Sequence, residues 1–146
     1  ELSKHENIVG FKEANGNISS MAKTMSLVGD SLDMYSGDDD QTVPILSLGG
    51  KGVISVLSNV APGYMSEMVH SYLDGNTKKA WEMQVACQDI VKALFCEVNP
   101  IPVKEAVNMI GLPGGKCRLP LVDMQEANKA KLAKAIEDFK KIGGIR

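Results

Sequence analysis

The sequence predicts an α/β fold in which three short parallel strands alternate with helices and a purely helical region follows. Three observations carry that prediction. Short apolar runs stand at 8–12, 32–36 and 53–57, each closed by turn residues and followed by a helical pattern. Strands that alternate with helices are wound parallel through right-handed crossovers. From residue 63 onward only helical patterns remain. The strand–helix units are about 20–25 residues long, near the unit length of a (β/α)8 barrel of about 250 residues. Three units cannot close such a barrel, and the chain opens on Glu1 rather than methionine. The expectation is therefore the last three βα units of a TIM (β/α)8 barrel over residues 1–76, followed by a C-terminal helical extension over residues 77–146.

Each element has a local reason. Over 8–12, Ile8, Gly10 and Lys12 alternate with Val9 and Phe11. If Val9 and Phe11 meet an outer layer of helices, Gly10 and Lys12 face inward, the glycine leaving space and the lysine reaching into it. Asn15-Gly16-Asn17 is a turn, and Asn17 caps a helix over 18–28 that Gly29-Asp30 closes. The strand over 32–36 ends in Gly37-Asp38-Asp39-Asp40, where Asp39 or Asp40 can cap a helix over 41–48. Gly49-Gly50-Lys51-Gly52 follows that helix and precedes the third strand, over 53–57. It reads as a helix C-cap and tight turn, not as a phosphate cradle, which would open a helix. Pro62 opens a helix over 63–73, a longer helix fills 77–95, Pro102 opens one to about residue 110, and the last runs over 124–141.

The totals exclude several function classes. A chain of 146 residues, 44% hydrophobic and 23% charged, suits one globular domain with a sizeable core. A net charge of -2 gives no electrostatic case for nucleic acid or an anionic membrane. No apolar run approaches the ~20 residues that span a bilayer, and no stretch reads as a secretory signal. Cys87, Cys96 and Cys117 form neither a disulfide framework nor a zinc pattern, so a reducing cytoplasm is the expected home. His5 and His70 have no partner at metal-ligand spacing.

Lys12 is the residue that calls for chemistry. Burying an ammonium is costly and lowers its pKa, and an amine so tuned forms Schiff bases with carbonyl substrates. The bland reading is a strand-end lysine that reaches water. Catalytic groups of a barrel sit at the carboxyl ends of its strands. Gly37-Asp38 lies 25 residues after Lys12, and Ile54-Ser55-Val56 begins 17 residues after Gly37. A lysine faced by a glycine–aspartate turn and an apolar strand edge suits a small 2-keto acid, with backbone groups near Gly37 and Ile54 orienting its carboxylate and the imine.

Ile8-Val9-Gly10-Phe11-Lys12-Glu13-Ala14 resembles the Schiff-base lysine strand of the dihydrodipicolinate synthase / N-acetylneuraminate lyase family. Tyr35-Ser36-Gly37-Asp38-Asp39 resembles that family at its spacing from the lysine. The stretch from Gly49 to Pro62, and Asn99-Pro100-Ile101-Pro102-Val103-Lys104 with Asn108-Met109-Ile110-Gly111, resemble its synthase branch. The resemblance covers nearly the whole chain. It implies that Lys12 forms an imine with pyruvate, and that the enamine attacks L-aspartate 4-semialdehyde. The product is the hydroxytetrahydrodipicolinate that feeds diaminopimelate and lysine synthesis. It also implies that Ile54 contacts pyruvate, that Gly37 and Asp38 line the lysine's pocket, and that no metal or organic cofactor takes part. A homotetramer or homodimer is expected.

The family's catalytic tyrosine, threonine pair, substrate-binding arginine and lysine-feedback site fall upstream of Glu1. Tyr35, Tyr64 and Tyr72 read as packing residues and do not replace them. The expectation is a C-terminal half, inactive without its N-terminal half. Two alternatives stay open: another pyruvate-dependent aldolase, such as N-acetylneuraminate lyase or ketodeoxygluconate aldolase, and a non-enzymatic assembly module using the helices over 18–28 and 41–48. The carboxylates of Asp38-Asp39-Asp40 suit a Mg²⁺ site, but adjacent acids at a strand-to-helix turn read first as capping and solvated charge.

Overall fold

A computed structural model describes residues 1–145. They form two compact units: Glu1–Ser55 with Met68–Gln84, and Val56–Glu67 with the chain from Val85 onward.

The first unit is built on a parallel sheet in the order β1 (Gly10–Glu13), β2 (Asp33–Ser36), β3 (Gly52–Val53). Helix α1 (Ile18–Val28) connects β1 to β2, and α2 (Thr42–Ser47) connects β2 to β3. The register pairs Gly10 with Asp33, Phe11 with Met34, Lys12 with Tyr35 and Glu13 with Ser36. Tyr35 then pairs with Gly52, and Ser36 with Val53. Met21 of α1, Met34 of β2 and Ile45 of α2 are fully buried together, with Phe11, Met25 and Leu48 packed around them. Phe11 therefore faces the helices as the alternation requires, while Val9 ahead of it stays 73% exposed. Gly10 does not open space for Lys12. A Cβ at Gly10 would stand 2.7 Å from the Asp33 carbonyl oxygen, so this glycine lets β2 come close.

Several local signals act as read. The Asn17 side chain accepts a hydrogen bond from the Ser20 N–H at 3.0 Å, capping α1. Helix α2 ends in a glycine turn. Gly49 has φ +91°, the Gly50 N–H reaches back to the Ile45 carbonyl at 3.0 Å, and a Cβ on Gly50 would strike that same carbonyl at 2.7 Å. The start of α2 differs from expectation. No side chain caps it at its Gln41 N-cap, and the chain enters through a 3-10 turn over Asp39–Gln41. The third strand is also shorter than the apolar run over 53–57 suggests. β2 turns away after Ser36, so the ladder ends where the Ile54 N–H reaches the Ser36 carbonyl at 2.8 Å. Leu57 lies in a 3-10 turn, Leu57–Asn59, and is fully buried.

Helices α3 (Pro62–Leu73) and α4 (Thr77–Ala86) follow. The helix expected over 77–95 is two: α4 stops at Ala86, Cys87 takes φ -90° and ψ 0°, and α5 (Gln88–Leu94) begins. The apolar spacing runs through the break because Cys87 is itself buried, so periodicity alone does not register it.

In the second unit, α7 (Glu126–Lys141) packs on α5 and on α6 (Ile101–Met109). Ile90, Leu94, Ala106, Leu132, Ile136 and Phe139 are buried there. The Glu97 carboxylate accepts from the Gln125 N–H at 3.0 Å and the Asn128 amide at 2.8 Å. This puts negative charge at the amino end of α7, where the helix dipole favours it. Tyr64 meets Phe139 edge to face, with ring centroids 4.8 Å apart.

Candidate functional site

Lys12 is the third residue of β1, beside Tyr35 in the register. Period-two alternation puts Gly10, Lys12, Asp33, Tyr35 and Gly52 on the sheet face away from the Met21–Met34–Ile45 core. On this face Lys12 is exposed: the walls supplied by these residues do not enclose it.

The seat of Lys12 is Gly37. A Cβ at Gly37 would lie 2.7 Å from Lys12 Cε, 3.1 Å from Lys12 Cγ and 2.7 Å from Ala14 Cβ. The lysine stem therefore crosses the bare backbone of the turn after β2. The Gly37 N–H donates to the Glu13 carbonyl at 2.6 Å, which ties that turn to the end of β1. With the Ile54 N–H also committed, to Ser36, neither backbone N–H is available to bind a substrate carboxylate. Ile54 instead offers its side chain, 52% exposed at the end of β3.

Asp38 follows Gly37, and Ser36 shapes its backbone. The Ser36 hydroxyl donates to the Asp38 carbonyl at 2.7 Å, and the Asp38 N–H donates back to Ser36 Oγ at 3.2 Å. Burial pushes the Asp38 carboxyl above the usual carboxylate range, and the charges of Asp40 and Asp39 push the same way. The Lys12 ammonium pulls against them, so the Asp38 carboxyl senses the lysine's charge.

Further along, the loop is held from α4. The Gln84 side chain, only 6% exposed with its residue, accepts from the Val43 N–H at 2.9 Å and donates to the Asp39 carbonyl at 2.9 Å. The Thr42 hydroxyl donates to the same Asp39 carbonyl at 3.1 Å. Sequence reasoning passed over Gln84. The available signal was a polar residue four positions after Ala80 on a buried stripe, where a glutamine needs partners.

The remaining candidates fall elsewhere. Asp38 is half-buried, Asp39 buried and Asp40 exposed. Among the described residues no group of three or more His, Cys, Asp or Glu side chains is placed to hold a metal ion. Tyr64 packs on Phe139 in the second unit, and burial raises its phenol above the ordinary range. The three cysteines are free. No described helix is long and apolar enough to cross a membrane.

Parallel strands in sequential order, helices over one face and a lysine near the strands' carboxyl ends on the other define a β/α protein of the barrel class. Solved structures agree. The chain superimposes on the dihydrodipicolinate synthase of Thermotoga maritima with a TM-score of 0.88 at 40% identity, covering 99% of this chain and 49% of that one. It superimposes on the 4-hydroxy-tetrahydrodipicolinate synthase of Methylacidiphilum fumariolicum with a TM-score of 0.91 at 36% identity, covering 96% and 47%. The 4-hydroxy-tetrahydrodipicolinate synthase of Caldicellulosiruptor saccharolyticus is 52% identical over 139 residues, 95% of this chain and 47% of that protein. The dihydrodipicolinate synthetase family profile matches residues 1–139, and the chain belongs to that family. It spans about half the length of the relatives it matches.

Proposed function

We propose that this chain supplies the imine-forming lysine of a 4-hydroxy-tetrahydrodipicolinate synthase. The observation that carries the reading is Lys12 lying across the side-chain-free turn at Gly37, at the carboxyl edge of the sheet. The synthases named above, at up to 52% identity among them, support the choice of reaction. On this reading Lys12 Nζ adds to the keto carbon of pyruvate, and loss of water leaves the imine. Loss of a methyl proton gives the enamine, whose carbon attacks the aldehyde carbon of L-aspartate 4-semialdehyde. The amine of the semialdehyde then closes the ring on the imine carbon and releases Lys12. Ile54 walls the pyruvate with its side chain, while Gly37 and Asp38 line the pocket beside the amine.

Residues 1–76 contribute the last three βα units of a (β/α)8 barrel, and residues 77–146 the helical region beyond it. An N-terminal half completes the barrel and brings the proton-transfer groups that the resemblance implies. The assembly is a homotetramer or homodimer. Sodium borohydride reduction of the full-length enzyme with pyruvate, followed by peptide mass mapping, tests the reading. The expected result is a reduced pyruvyl adduct on Lys12. An adduct elsewhere, or none in the folded enzyme, rejects it. Supplying aspartate semialdehyde against N-acetylneuraminate separates the synthase from a lyase by product.

A further inference from the structure

We infer that Gln84 is a positioning residue for Lys12, acting through the loop that carries Gly37 and Asp38; this rests on the function proposed above. Gln84 belongs to α4, and its partners lie 41 and 45 residues earlier in the chain. Both ends of its amide meet the backbone of one loop: the oxygen takes the Val43 N–H and the nitrogen gives to the Asp39 carbonyl. These two peptide groups bracket the 3-10 turn between β2 and α2. Ser36 holds the near end of the same loop through Asp38, and Thr42 adds a second donor to the Asp39 carbonyl. Gly37 sits inside the Ser36–Asp38 clamp, two residues before Asp39, and a Cβ there would stand 2.7 Å from Lys12 Cε.

That close approach couples the loop to the lysine stem. A small shift of the loop toward β1 drives Gly37 into Lys12 Cε. A shift away removes the floor on which the stem lies and moves Asp38, whose carboxyl feels the Lys12 charge. A surface glutamine would not do this. A buried amide whose donor and acceptor are both engaged fixes one loop position, because any other leaves buried polar groups unpaired.

The test compares Gln84→Ala and Gln84→Glu with the unsubstituted full-length enzyme. The readouts are the rate of borohydride-trapped pyruvyl adduct on Lys12, KM for pyruvate, kcat, and the folded fraction by circular dichroism. Gln84→Ala frees the loop, so adduct formation falls about tenfold or more at an unchanged folded fraction, as expected for a displaced reacting group. Gln84→Glu gives the diagnostic signature. Its protonated carboxyl can accept from Val43 and donate to Asp39 as the amide does; its carboxylate can only accept and repels the Asp39 carbonyl. Relative to the unsubstituted enzyme, its adduct rate is therefore near normal at the acid end and falls as pH rises between about pH 6 and pH 9, where a buried glutamic acid titrates. A purely structural role would not make the relative rate follow that titration. Adduct rates within twofold of the unsubstituted enzyme for both variants at every pH overturn the inference, as does a loss that only tracks the folded fraction. Absence of a Lys12 adduct in the unsubstituted enzyme overturns the functional reading and this role with it; a normal adduct there with both variants unaffected overturns this role alone.

Discussion

Gly37 shows how a single missing side chain sets the position of a reactive one. The Lys12 stem occupies the place where a Gly37 Cβ would stand, and Ala14 closes the other side. Gly37→Ala should therefore displace the amine more than it disturbs the fold. The expected outcome is a trapped-adduct rate down about tenfold or more, with a stability loss of about 1–3 kcal/mol for the overpacked contact. Borohydride trapping beside urea denaturation checks both numbers. Asp38 makes a pH prediction at the same scale. Burial raises its carboxyl, so the folded chain binds that proton more tightly than the unfolded chain does. The resulting stability is complete below the ordinary value of 3.8 and is lost as pH rises through the raised folded value. Asp38→Asn, neutral throughout, removes that loss and the repulsion from Asp39 and Asp40. Its melting temperature should exceed that of the unsubstituted protein at neutral pH, and the gap should close toward pH 3.8. A gap that stays constant with pH would count against the burial argument.

Helix α1 begins, and helix α2 ends, where short-range chemistry says they do. Asn17→Ala removes the one side-chain cap of α1 and should cost about 1 kcal/mol in urea unfolding. Asn17→Ser should recover most of it, since serine caps nearly as well. The glycine stop at Gly49-Gly50 is equally local. Helix α2 departs from its local signal, because the chain enters it through a 3-10 turn with no side-chain cap at Gln41; the other departures involve residues beyond the local pattern. The third strand was expected to reach residue 57, but it stops once β2 no longer runs beside it. The break at Cys87 is hidden by a buried stripe that continues through it. At the start of α7, Glu97, 28 residues before Gln125, adds its carboxylate to that of Glu126 in the helix's own first turn.

Across the whole molecule, the sheet is open. β1 and β3 each have an unpaired edge among the described residues, and exposed strand edges seek further pairing. The 146-residue chain expressed alone should therefore self-associate and lack synthase activity. Adding an N-terminal half of the barrel should suppress the association and restore activity together. Sedimentation velocity and a coupled assay check both; full activity from the chain alone would contradict the division of labour proposed here. The exposure of Lys12 on the open face belongs to this scale, because desolvating the amine takes walls that three strands do not supply.

The alternation of strand and helix, the Asn17 cap, the glycine stops and a lysine at a strand end beside a glycine–aspartate turn were all legible in the sequence alone. Each depends on residues a few positions apart, where periodicity and turn chemistry act directly. Family membership was legible for a related reason: its motifs are short strings at set spacings. Tertiary structure alone decided where β3 ends, that the Lys12 stem lies across Gly37, that the N–H groups of Gly37 and Ile54 are spent on the sheet, and that Gln84 holds the loop. These depend on groups up to 45 residues apart meeting at hydrogen-bond distance. No local pattern encodes such a meeting, because it is fixed by how the sheet and its helices pack.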